Sequence, residues 1–165
     1  MYKVKGKPWA YSGAIDVSDC ATAKEVMLKA GLNFNVAKCE LVGKMPIKLT
    51  GTDEELDRII KEQKEGAHVF GTDIYRKCDN AFATYRTDYN IPLGVVKSKY
   101  TIVQNNDAFN FFDGAIGKNS AIWQTAGFWG NGERIFVSAK LPNNILVKGD
   151  PVENYLVFTL SLIHI

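Results

Sequence analysis

Few residues in this sequence could do chemistry, and those with useful spacing are basic and aromatic. In "VVKSKYTIV", an extended chain places Lys97, Lys99 and Thr101 on one side and Val96, Ser98, Tyr100 and Ile102 on the other. In "GFWGNGERIFVSAKL", Arg134, Ser138 and Lys140 share a parity, and Phe128 and Trp129 flank the turn residues Gly130, Asn131 and Gly132. If the two strands adjoin, Lys97, Lys99, Arg134 and Lys140 form a basic strip edged by Trp129 and Phe128. Single-stranded nucleic acid needs that pairing, with positive charge along the backbone path and aromatic faces on which bases stack. The competing reading is a sheet with one wet face, whose lysines only keep an edge soluble.

Other chemistries find little support. Nucleophilic catalysis needs a nucleophile, a base and an orienting group. The only histidines are His68, at a strand start, and His164, in the last residues. No catalytic residue is therefore assigned. A metal site is equally poor, because there is no HExxH and no CxxC, and the carboxylates of "DEELD" suit a solvated first helical turn. Asp73, Asp79 and Asp88 flank turns and would have to converge to hold magnesium. The glycines of "GFWGNG" lie in a hairpin with no helix after them, so they lack the helix start that makes a phosphate loop. No metal and no cofactor is expected.

The elements that must position these residues follow from pattern. The chain has 165 residues with 20 basic and 18 acidic side chains, a balance too even to argue for nucleic acid or anionic membrane by charge alone. Cys20, Cys39 and Cys78 are widely spaced and odd in number, which fits reduced thiols in a cytoplasmic setting. No run is long enough to span a membrane. The absence of repeats or linkers predicts one domain over residues 1–165. Its apolar ending, "YLVFTLSLIHI", reads as a chain cut short.

"SDCATAKEVMLKAGL" predicts a helix capped by Ser18 or Asp19, with Ala23, Val26, Met27 and Ala30 as its apolar stripe and Gly31 as its stop. "NFNVAKCELV" and "MPIKLTG" read as two extended pieces joined at Gly43-Lys44. Thr52 and Glu55 match a capping box opening a surface helix with a thin apolar edge. "NAFATYRTD" and "PLGVVKSKYTIV" read as a hairpin, followed by a helix from Asn106 to about Ile116. A second hairpin turns at Gly130-Asn131-Gly132, and two more extended segments surround a Gly-Asp-Pro turn. Strands meeting through short turns indicate an α+β fold with an antiparallel or mixed sheet and about three helices. The row Gln104, Asn105, Asn106, Asp107 sits at a strand-to-helix junction. Asn106 or Asp107 can cap the helix and Gln104 the strand end, which leaves Asn105 unexplained.

"YRTDYNIPLGVVKSKYTIVQNNDAFNFFD", "TAGFWGNGERIFVSAKLP" and "ENYLVFT" together resemble the phage/plasmid-like protein family, whose domain is number 932 among domains of unknown function. The likeness runs from about Lys7 to Thr159. It departs where members read Pro-Trp-His-Gly, since this chain has Pro8, Trp9, Ala10 and Tyr11. It departs again after Thr159, where members continue toward His-Asp-Gly, so residues 160–165 are expected to be a truncated or non-native end. The resemblance implies an accessory protein of phages, prophages or plasmids in a bacterial host, with no established reaction. Three functions remain open on this reading: a non-catalytic domain associated with single-stranded DNA, a module binding a protein partner or itself, and an enzyme whose site lies in a missing C-terminal part.

Overall fold

The computed structural model describes residues 13–46, 52–70, 73–116 and 121–162. The first strand, β1 (Ala14–Asp16), leads into helix α1 (Ala23–Lys29). Its cap is Thr22, not Ser18 or Asp19. The Thr22 hydroxyl accepts from the Glu25 amide at 3.3 Å, and the Glu25 carboxylate reaches back to the Ala21 amide at 2.8 Å. Ser18 is instead turned onto Asp16, and Asp19 pairs with Lys29 at the far end of the helix. The predicted stripe of Ala23, Val26, Met27 and Ala30 is buried, and Gly31, at φ +66°, ends the helix.

The two extended pieces predicted after α1 are one strand. Strand β2 (Val36–Pro46) runs through Gly43-Lys44 without turning and bulges between Glu40 and Val42. Helix α2 (Asp53–Lys64) follows and buries no residue, as its thin stripe predicted, although Thr52 makes no side-chain capping bond. Strands β3 (His68–Phe70), β4 (Asp73–Arg86) and β5 (Ile91–Lys97) complete an antiparallel sheet in which β4 is central. Helix α3 (Asn105–Ile116) comes next, then the hairpin β6 (Ile122–Trp129) and β7 (Arg134–Lys140), the small ribbon β8 (Ile145–Val147) and β9 (Asp150–Val152), and β10 (Tyr155–Ser161). The ribbon turns at Lys148-Gly149, both at positive φ, rather than at Gly-Asp-Pro. A second antiparallel sheet has the order β1-β6-β7-β10. The fold is α+β with three helices among the described residues.

The main core lies between this second sheet and helices α1 and α3. Phe112 is its pivot, 5.7 Å from the Trp123 ring and 5.4 Å from that of Phe158. Phe109, Val26, Ile135, Val137 and Leu162 complete it. Each such side chain contributes about 1.5–3 kcal/mol by leaving water. The far end of the β2–β4 ribbon holds only a small satellite, Ala67 and Ile74 under α2. Strand β7 is buried on both faces from Ile135 to Ala139. Ser138, expected on a wet face, is wholly buried, with its hydroxyl 2.6 Å from that of Thr125.

Arg86 ties the two sheets. Its side chain is 8% exposed, and its guanidinium holds Asp88 through two bonds of 3.1 and 2.7 Å. The third contact is to the β6–β7 loop, where it donates to the Asn131 carbonyl at 2.8 Å. The cation lies 3.8 Å from the Phe34 ring centroid. Gly132, at φ +113°, lets the loop reach this cluster, because a Cβ there would stand 2.8 Å from the Phe34 ring. Close by, the Thr84 hydroxyl meets the Leu162 carbonyl at 3.2 Å, and the Leu162 amide donates to the Glu133 carbonyl at 2.8 Å.

Hydrogen bonds to a charged group are worth about 1.5–3 kcal/mol, so Arg86→Leu should lower unfolding stability by about 2–4 kcal/mol in denaturant titrations. The Arg86 guanidinium also holds the Asp88 carboxyl below the usual aspartate range. The stability from this pair is therefore full above the unfolded aspartate value, about 3.9, and is lost as pH falls through the lower folded value. Asp88→Asn should flatten the acid limb of stability against pH. An unchanged limb would show that the pair does not hold the sheets.

Candidate nucleic-acid interface

Antiparallel pairing sets three side chains in a row across the second sheet. Trp129 faces Arg134 across the β6–β7 pair, and Arg134 faces Ser161 across the β7–β10 pair. The next row on that face is Gly127, Phe136 and Thr159. Gly127 leaves room for the Phe136 ring, which would come within 3.1 Å of a Cβ placed there. Trp129 leans on that ring, with centroids 4.8 Å apart and planes at 41°, and keeps 38% of its surface exposed. The result is a cleft of about 310 Å³ lined by Trp129, Arg134, Thr159, Leu160 and Ser161.

The local charge favours an anion. Glu133 turns its carboxylate away, accepting from the Asn131 amide at 2.6 Å. Among the described residues no carboxylate pairs with Arg134. A guanidinium beside an indole and two hydroxyl side chains can hold a phosphate and a flat ring together.

The predicted strip is not assembled as the sequence suggested. Strand β5 stops at Lys97 and belongs to the sheet of β4, so Lys97 and Arg134 do not lie on neighbouring strands. Lys99 stands in the turn that follows, where the Ser98 amide bonds the Asn80 carbonyl at 3.2 Å and the Tyr100 amide bonds that of Lys97 at 3.1 Å. The alternation in "VVKSKYTIV" is real only as far as Lys97. The turn is nevertheless tied to the cleft, because the Tyr100 hydroxyl donates to the Ser161 carbonyl at 3.4 Å. Lys38 secures it from beneath, donating to the carbonyls of Ser98, at 3.2 Å, and Tyr100.

Lys140 is at the other end of β7, six residues from Arg134 and so about 20 Å away. It pairs with Glu153, whose carboxyl is held below its usual range by Lys140 and then by the Tyr155 hydroxyl. The sequence reading missed Thr159 and Ser161, which the parity of β10 could have given had the chain end not been set aside. Leu160 and Ser161 continue β10, and Leu162 is seated in the core. His68 is exposed on β3, and His164 lies outside the described residues. No helix is long and apolar enough to cross a membrane among the described residues.

The polar row that opens α3 is a structural clasp. Gln104 behaves as a strand residue, its carboxamide accepting from the Val36 amide at 3.0 Å and donating to the Val36 carbonyl at 2.9 Å. The buried Asn105 donates to the carbonyls of Leu32 and Phe34, at 2.9 and 3.4 Å. Asn105 thus has a role, and the helix starts one residue earlier than predicted. The partners lie about seventy residues away, which no local pattern reveals.

These features define an α+β domain of two antiparallel sheets with a basic and aromatic cleft at one sheet end. The family model of a domain of unknown function (DUF932) matches residues 92–161, and over that stretch the chain is similar to the DUF932 family. The match runs from Pro92, the second residue of β5, to the end of β10 and includes the whole cleft. No curated protein and no solved structure matches the chain.

The Asn105 clasp makes a test of the fold beneath the site. Asn105→Ala strands two carbonyls and should cost about 1–3 kcal/mol. Asn105→Asp places a carboxylate against those same oxygens and should cost more at neutral pH. Burial raises the pKa of the new carboxyl, so its penalty should shrink on acidification as the protonated group regains a donor. Equal stability of the two variants at pH 7 would contradict this geometry.

Proposed function

We propose that this chain is a non-catalytic accessory domain, borne by a phage or plasmid, that holds single-stranded DNA at the Trp129–Arg134 cleft. The row Trp129, Arg134, Ser161 carries the reading, since it sets a stacking face beside a guanidinium that meets no carboxylate among the described residues, with hydroxyls at the rim. Lys99, on the turn that Tyr100 ties to Ser161, extends the positive path, and Lys97 lies just before it. Lys140, already paired with Glu153, is not part of the path.

The second reading, a module that binds a protein partner or itself, is favoured by the β8–β9 ribbon. Ile145, Leu146, Val147 and Val152 are all exposed there, Leu146 by 72%. A ribbon with apolar groups on both faces suits burial against another surface.

Binding of the chain to a fluorescent single-stranded oligonucleotide, measured across a salt series, separates the two. On the first reading, affinity falls with salt, and Arg134→Gln weakens binding while reducing the salt slope by about one. Trp129→Ala should cost about 1–3 kcal/mol of binding, with a parallel unfolding curve to separate that loss from the loss of packing on Phe136. No binding at low salt, together with a mass that grows with concentration and reverts in Leu146→Lys, would select the ribbon reading.

A further inference from the structure

A second cleft, distant in sequence from the one just described, has polar side chains that the fold does not use. It measures about 370 Å³ and is lined by Lys24, Met27, Leu28, Asn33, Phe34, Asn35 and Asn106. That volume is in the range of small-molecule sites. Lys24, Met27 and Leu28 come from one face of α1, at the i, i+3, i+4 spacing. Residues 32–36 alternate, with Leu32, Phe34 and Val36 buried and Asn33 and Asn35 exposed. In an extended chain these two asparagines stand about 7 Å apart on one side.

The clasp of Gln104 and Asn105 is what builds the cleft. It holds residues 32–36 by their backbone, at Leu32, Phe34 and Val36, so Asn33 and Asn35 are fixed outward beside Asn106, the next residue of α3. Among the described residues the carboxamides of Asn33, Asn35 and Asn106 and the ammonium of Lys24 make no hydrogen bond or ion pair. Phe34 also lines the cleft, but it is buried, with its ring packed on Arg86.

We infer that this cleft is a nucleotide site, taking the edge of an adenine-type base on its carboxamides and the phosphate on Lys24. Three neutral groups that each donate and accept call for a ligand edge that does the same. An asparagine carboxamide pairs with the amino and ring-nitrogen edge of adenine through two bonds. The exposed Leu28, with Met27 beside it, offers apolar surface to the face of a flat ring, and a single lysine suits a single anionic end. The inference uses none of the Trp129 cleft, so either site can fail without the other.

Titration calorimetry of the chain with adenosine 5′-monophosphate, thymidine 5′-monophosphate and ribose 5-phosphate tests it. The adenine nucleotide should bind best. Asn33→Ala and Asn106→Ala, both at exposed positions, should each weaken it about tenfold and shrink its advantage over the thymidine compound. Lys24→Gln should weaken both nucleotides alike, and Trp129→Ala should change nothing. Equal binding of ribose 5-phosphate, indifference to the asparagine variants, loss in Trp129→Ala, or no binding at millimolar ligand would each overturn the assignment.

Discussion

A buried guanidinium is the constraint on which the arrangement of the sheets depends. Arg86 must place its charge somewhere, and a cation left unsatisfied in a core costs several kcal/mol. Asp88 supplies two acceptors from two residues away, but the remaining face of the group requires Asn131 and the rings around it. The β6–β7 loop is thereby drawn against β4, and Gly132 is needed because any side chain there would strike Phe34. With the loop fixed, Trp129 and Arg134 emerge at a defined place, and β10 closes beside them through Glu133 and Leu162. The cleft follows from where one charge is buried.

What was legible in the sequence was local. The stripe of α1, the acidic start of α2 and the Gly130-Asn131-Gly132 turn each express a rule that acts within a few residues, and each is found in the structure. Failures came where a pattern was asked to name a neighbour. The parity of Lys97 says which face it shares within its own strand, but nothing about which sheet that strand joins. Arg134, Ser138 and Lys140 do share a face, yet Ser138 is sealed by Thr125 and Lys140 is paired with Glu153. Gly43-Lys44 looked like a turn, but β2 is held straight by pairing with β4 on both sides of it.

The candidate site divides in the same way. Trp129 and Arg134 were visible as types in a hairpin, whereas Thr159 and Ser161 gained meaning only once β10 was seen beside β7. Arg86 passed unremarked in "TYRTDY", because an arginine at a strand end is ordinarily a surface residue. Its one hint was the aspartate two residues later. Gln104 and Asn105 were recognised as junction residues, but their partners in residues 32–36 are joined by the fold alone.

The polar ties that shape this molecule span long stretches of chain: 45 residues from Arg86 to Asn131, 68 from Gln104 to Val36, 73 from Asn105 to Leu32 and 78 from Thr84 to Leu162. Each joins segments that lie on either side of residue 92, or reaches back across it. A protein with such distant contacts closes large loops before it gains their bonds, so it assembles slowly and nearly all at once. The stretch from 92 to 161 that the family model covers is thus tied by the first three of these bonds to residues that the family model does not match. Released by itself it would leave behind Phe34, Val36, Thr84 and Arg86, and with them the scaffold that gives its hairpin a fixed shape.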